Sequence, residues 1–230
     1  MLGLVVALRS EGRALFGGSG WSVEEGRTSF RAGLADGTGL LCVQSGPGLE
    51  NAFLASRWLV SGGATALAVL GVSGGLDPSL SAGDLVVAET VLEERGRGEI
   101  VSWRADPRDA DLLRDFLRRE GIPARRGAVV TVRRPVRTPG EKRALRERSG
   151  ALAVDMESAA VARAAAEARL PFLSLRAVCD PADRAVPSDL HASLADDGSL
   201  RLSLLARKLL MRPFLISDAL RLGREFATAL

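Results

Sequence analysis

"ALAVDMESAAVARAAAEARLPFLSLRAVCD", Ala151 to Asp180, carries the fold in thirty residues. It begins with a short apolar run, Ala151–Asp155. It continues as an alanine-rich stretch, Asp155–Arg169, in which helix formers predominate. It ends in a second apolar run, Pro171–Val178, bounded by prolines. The first has no polar residue before Asp155, and the second is apolar apart from Ser174 and Arg176, as expected of central strands covered on both faces. The stretch therefore reads as strand, helix, strand. Similar runs occur at Leu2–Leu8, Gly39–Ser45, Thr65–Val72, Asp84–Val91 and Gly127–Val132, and further helical patterns at Leu49–Val60 and Arg108–Arg119. Such alternation predicts an α/β domain built on a central mixed, largely parallel sheet flanked by helices in three layers. No linker, internal repeat or low-complexity segment interrupts the chain. Residues 1–230 are expected to form a single domain, with 188–230 as a C-terminal helical appendage.

Composition narrows the function. Of 230 residues, 47% are hydrophobic and 26% charged, a globular balance. Two distant cysteines, Cys42 and Cys179, and a single histidine, His191, offer neither a disulfide framework nor a metal-binding pattern. The reading is a cytoplasmic protein with no cofactor and no metal. The opening "MLGLVVALRSE" is too short for a secretory signal, and no run is long enough to span a bilayer. The net charge of +3 is unevenly placed: six basic and two acidic residues from Ser199 onward give that tail +4 and leave −1 for the remainder. Scarce aromatics and the lack of a basic stripe argue against nucleic acid. Leucines near helical spacing with arginines between them suit either a helix pair packed on the domain or peripheral contact at the inner membrane face.

In open α/β sheets, ligands bind beyond the carboxyl ends of the strands. There the sequence supplies chemistry. "VVALRSEGRAL" puts Glu11 and Arg13 past the first run, with Ser10 as a helix N-cap in the simplest reading. "GVSGGLDPSLSAGDLVV" offers Ser73 among Gly71, Gly74 and Gly75, either as a turn or as a binding loop where glycine permits positive φ. In "AVDMESAAVA", Asp155 caps the helix and Glu157 stands in its first turn; a carboxylate there also accepts two hydrogen bonds from a vicinal diol, with Met156 against a sugar face. "LRAVCDPADRAVP" ends a strand on Asp180. Partial desolvation favours its protonated form and suits a general acid, although Asp-Pro also starts turns. Arg176, inside the strand pattern, needs an anionic partner: Glu157 or a substrate anion.

In this order the segments resemble the nucleoside phosphorylase and nucleosidase superfamily, especially the 5′-methylthioadenosine/S-adenosylhomocysteine nucleosidases, from about Leu2 to Asp183. The resemblance implies their phosphorylase/hydrolase-like fold, a homodimer by analogy, and roles for single residues. Asp180 matches the general acid at N7 of the departing purine. Glu157 matches the carboxylate on the ribose hydroxyls, and Met156 the methionine beside the sugar. Glu11 matches the glutamate that orients the attacking water. Pro135 and Val136 fall where backbone contacts adenine, and Ser73 and Gly74 near base and sugar. Cys179 departs from the serine common beside the acid, which puts that hydrogen bond in question.

The nucleophile stays open. Glu11 favours water. Arg13 stands where an arginine binds phosphate in some hexameric purine nucleoside phosphorylases, which favours phosphate as co-substrate. The run from Ala153 to Pro187, with its basic leucine-rich tail, also resembles the hopanoid-associated phosphorylases, which implies adenine release from the adenosyl-lipid adenosylhopane. Futalosine hydrolases are related but match "DPADRAVP" less well. A non-catalytic nucleoside-binding protein is the competing class, since a fold does not fix a function.

Overall fold

The structure is a computed structural model that describes residues 1–33, 37 and 39–186. The expected helical appendage 188–230, its membrane contact and His191 lie outside the described residues. In chain order the elements are β1 Leu2–Val6, α1 Arg9–Phe16, β2 Trp21–Glu24, β3 Arg27–Gly33, β4 Gly39–Gln44, α2 Leu49–Ser61, β5 Ala66–Gly75 and β6 Leu85–Glu94. A short 3-10 turn, Gly96–Gly98, leads to β7 Ile100–Arg104, α3 Pro107–Arg119, β8 Ala124–Thr131, α4 Pro139–Ser149, β9 Ala153–Asp155, α5 Ser158–Ala168 and β10 Phe172–Asp180.

The sheet is mixed, as expected. Parallel pairings join β4, β1, β5 and β10 in one run and β6, β8 and β9 in another. Antiparallel pairings connect those runs and add β2, β3 and β7 at the margins. Because β5 bonds both β9 and β10, the path β5–β10–β6–β8–β9 returns to β5 and forms a closed ring. From it β1, β4, β3 and β2 extend as an open wing.

Helices cover both faces. Alternate residues of β1 point to opposite sides: Val5 joins the core under α2 and α5, while Leu4 and Val6 meet Leu15 of α1. The alanines of α5 are buried nearly all round, which lets this helix lie close between α2 and the sheet. Leu113 and Leu117 of α3 pack on Leu85, Val87 and Ala177, and Leu145 of α4 on Val130 and Val154. Among the described residues no helix is long and apolar enough to cross a membrane.

Two local expectations change. "GVSGG" is neither turn nor loop: Gly71 to Gly75 continue β5, and none of Gly71, Gly74 and Gly75 has positive φ. Helix α1 is entered from Leu8 in extended conformation, not from Ser10, which lies inside the helix.

Candidate active site

The closed ring aligns the ends of β5 and β10. Gly71 pairs with Arg176, Ser73 with Val178, and Gly74 with Asp180. The end of β9 and the start of α5 lie alongside, since Gly74 also pairs with Val154. Residues far apart in sequence are thereby fixed at one rim.

Glu11 folds back across the entry to α1. Its Oε2 accepts from the Ala7 and Leu8 amides, both at 2.9 Å, and Oε1 accepts from the Val72 amide at 2.9 Å. A carboxylate has about four acceptor positions, so one remains on Oε1. Burial pushes the Glu11 pKa up, against the pull of these amides and of Arg176. The absence of a side chain at Gly71 makes room for this pair. A Cβ there would lie 2.5 Å from Glu11 Oε1 and 2.7 Å from Arg176 Nη1.

Arg176 is wholly buried, and its principal partner is Asp155, with Nη2 to Oδ2 at 2.7 Å. Glu157 is farther, at 3.8 Å. The expected ion pair of Arg176 with Glu157 is present, but Asp155 is the nearer acid. Ser158 Oγ accepts from Nε and Nη2 at 3.1 and 3.0 Å. Asp155 also accepts from Thr131 Oγ1 at 2.6 Å and from the Ser158 amide. It therefore does serve the helix start, from the last position of β9. Thr131 in turn accepts from the Ala159 amide at 2.9 Å.

Glu157 immediately precedes α5, yet its side chain caps nothing. Oε1 instead accepts from the Gly48 amide at 2.9 Å. Gly48, at φ 99°, needs glycine to turn that amide toward the acid. Three carboxylates, Glu11, Asp155 and Glu157, thus converge on one guanidinium. Burial, helped by Asp155 and Glu11 and opposed by Arg176, raises the Glu157 pKa from 4.5 to about 7. Met156 beside it is half-buried.

Asp180 ends β10 beside Gly74 of β5. A Cβ at Gly74 would stand 3.2 Å from its Oδ2. The Cys179 thiol has Asp180 Oδ1 at 2.9 Å and the Ser73 carbonyl at 3.3 Å as acceptors, so cysteine does supply a hydrogen bond beside the acid. On the other oxygen, Lys142 Nζ lies 2.6 Å from Oδ2. Ser73 is buried, and its hydroxyl has no partner among the described residues. A buried hydroxyl without a partner is costly, so this one suits a ligand atom.

Pro135 and Val136 occupy the segment from β8 to α4, where the Arg137 carbonyl accepts from the Val186 amide at 2.8 Å. That bond ties them to the segment after Asp180. Val136 leans on the apolar cluster of Leu76, Val130 and Val154. Arg13 is not brought to the group. With Arg9, Trp21, Thr28 and Gln44 it lines a separate cleft against the wing, and none of the clustered acids borders that cleft. Gly48, Thr131 and Lys142 carry parts of the site that sequence reasoning missed.

Comparison with known proteins gives the family and the fold. The family model of the Phosphorylase superfamily matches residues 3–210. A 5′-methylthioadenosine/S-adenosylhomocysteine nucleosidase of Baumannia cicadellinicola subsp. Homalodisca coagulata is 27% identical over 188 residues, which cover 76% of this chain and 80% of that one. The crystal structure of the Helicobacter pylori nucleosidase of that name, bound to butyl-thio-DADMe-Immucillin-A, superposes with a TM-score of 0.77 at 18% identity, covering 96% of this chain and 97% of the other. Futalosine hydrolase of Helicobacter pylori gives the same TM-score of 0.77, identity of 18% and coverages of 96% and 97%.

Proposed function

Since this chain belongs to the Phosphorylase superfamily, we propose that it is a hydrolytic nucleosidase that breaks the N-glycosidic bond of an adenosyl compound and releases adenine. The observation that carries the reading lies on three consecutive residues of β5: the Val72 amide binds Glu11, the buried Ser73 hydroxyl has no partner among the described residues, and Gly74 pairs with both Asp180 and Val154, three residues before Glu157.

Breaking this bond leaves cationic character on the ribose and sends the bonding electron pair to the base. Asp180 gives the departing base a proton at a ring nitrogen, so the base leaves neutral. Glu157 accepts hydrogen bonds from the two ribose hydroxyls, and its charge favours the developing cation. Glu11 holds a water by its remaining Oε1 position and takes a proton from it as it attacks. Met156 packs beside the sugar, and the backbone of Pro135 and Val136 meets the base. Arg176 acts from beneath, as the counter-charge that keeps three acids together.

Water is favoured over phosphate because the arginine expected to bind phosphate, Arg13, lines a different cleft. For the substrate, the residue pattern from Ala153 to Pro187 favours adenosylhopane, an adenosyl-lipid. The nucleosidase relative favours methylthioadenosine or S-adenosylhomocysteine. Release of the base from methylthioadenosine, adenosine and adenosylhopane (adenine) and from inosine and futalosine (hypoxanthine), each with and without phosphate, separates these readings. Turnover without phosphate is expected. Ribose-1-phosphate product would overturn hydrolysis, and binding without turnover would leave a nucleoside-binding protein.

A further inference from the structure

We propose that Lys142 of α4 is a positioning residue for Asp180, set to receive the negative charge that appears when this acid gives up its proton; the inference rests on the nucleosidase reading above. Lys142 is fully buried although its helix is among the most charged segments of the chain. Its ammonium lies 2.6 Å from Asp180 Oδ2. It also donates to the carbonyls of Asp180 at 3.1 Å, Pro181 at 2.7 Å and Arg184 at 3.0 Å. A buried ammonium is tolerated only when paired and hydrogen-bonded. A simple tie for the segment after Asp180 would not require a charge. The structure nonetheless spends one on the carboxyl that, in the proposed reaction, must become an anion.

An ammonium carries three hydrogens, whereas four oxygens surround this one. The carboxylate therefore competes with the carbonyls for Lys142, and it competes best when ionised. As the proton passes from the Asp180 carboxyl to the leaving base, the glycosidic electron pair goes to the base and the charge left on Asp180 meets a cation already in place. Such pre-arranged charge assists the chemical step more than substrate binding. Among the described residues, the titratable side chains in contact with the Asp180 carboxyl are Lys142, from α4, and Cys179, on its own strand.

The test uses Lys142→Gln, which keeps a donor for the carbonyls and removes the charge, and Lys142→Met, which removes both. Each is made alone and together with Asp180→Asn, and assayed on whichever nucleoside of the panel the wild type turns over. Lys142→Gln is expected to lower kcat at least about tenfold with KM little changed. In the Asp180→Asn background, removing Lys142 should cost nothing further in kcat. A folded Lys142→Gln enzyme with wild-type kcat overturns the inference. So does an equal loss in both backgrounds, which would mark Lys142 as structural support only. Failure of the wild type to release any base overturns the underlying nucleosidase reading instead.

Discussion

Replacing Glu157 by Gln should flatten the pH dependence of stability on the alkaline side. In the folded protein Glu157 binds its proton up to about pH 7 rather than 4.5, chiefly because it is buried beside Asp155 and Glu11. A raised folded value means that the contribution to stability is complete below the unfolded value and is lost as pH rises through the folded one. Linkage between these two values gives a loss of about 1 kcal/mol by pH 5 and about 3 kcal/mol by pH 8, so about 2 kcal/mol disappears across that interval. Gln does not titrate, and its amide oxygen still accepts from the Gly48 amide. Urea unfolding of both proteins between about pH 5 and pH 8 should therefore show the wild type losing about 2 kcal/mol more than the variant. Glu11 is also raised, but it is common to both proteins and largely cancels in the difference. Curves that stay parallel to within about 0.5 kcal/mol would refute the reasoning, since linkage would then assign Glu157 no burden of burial.

Gly71→Ala tests the space shared by Glu11 and Arg176. The new methyl would stand 2.5 Å from Glu11 Oε1, so a cost of about 1–3 kcal/mol in urea unfolding and a fall in turnover are expected together. Thr131→Val keeps the shape and removes the hydroxyl that joins Asp155 to the Ala159 amide. It should destabilise by about 1–3 kcal/mol, read from the urea midpoint, because two buried groups lose a partner.

The strand–helix–strand run from Ala151 to Asp180 was legible because both covered strands are predominantly apolar and the helix between them is mostly alanine. The margins were not. The hairpin β2–β3 turns at Glu25 and Gly26, both at positive φ, and its strands carry exposed polar residues that resemble loop sequence. Helix α4 was hidden by its charge. Its Thr138 and Glu141 nevertheless form a capping box, a pattern readable without a structure. Acids at strand ends could be found by rule, so Glu11, Glu157 and Asp180 were identified. Which acid meets Arg176 depends on whether the helix starts before or after Glu157, and boundaries are the weakest part of any sequence reading. Lys142 could not be found at all. Among Glu141, Arg143 and Arg146 it reads as solvated, and only the three-dimensional path of the chain after Asp180 encloses it. Ring closure is likewise a matter of pairing, on which periodicity is silent.

The ring sets where variation in this architecture can occur. A strand in an open sheet can slide or splay at the edge, whereas each strand of the ring is held on both sides, and moving one breaks ladders with two neighbours. Asp180 ends one of those strands, Glu157 follows another by two residues, and Glu11 of α1 is tied to β5 through the Val72 amide. Pro135–Val136 and Pro181–Val186 lie outside the ladders, where a substitution leaves the strand pairings intact. Bond cleavage and choice of substrate are thus inherited through different parts of the chain. A new ligand calls for a new rim, with the hoop beneath it left alone.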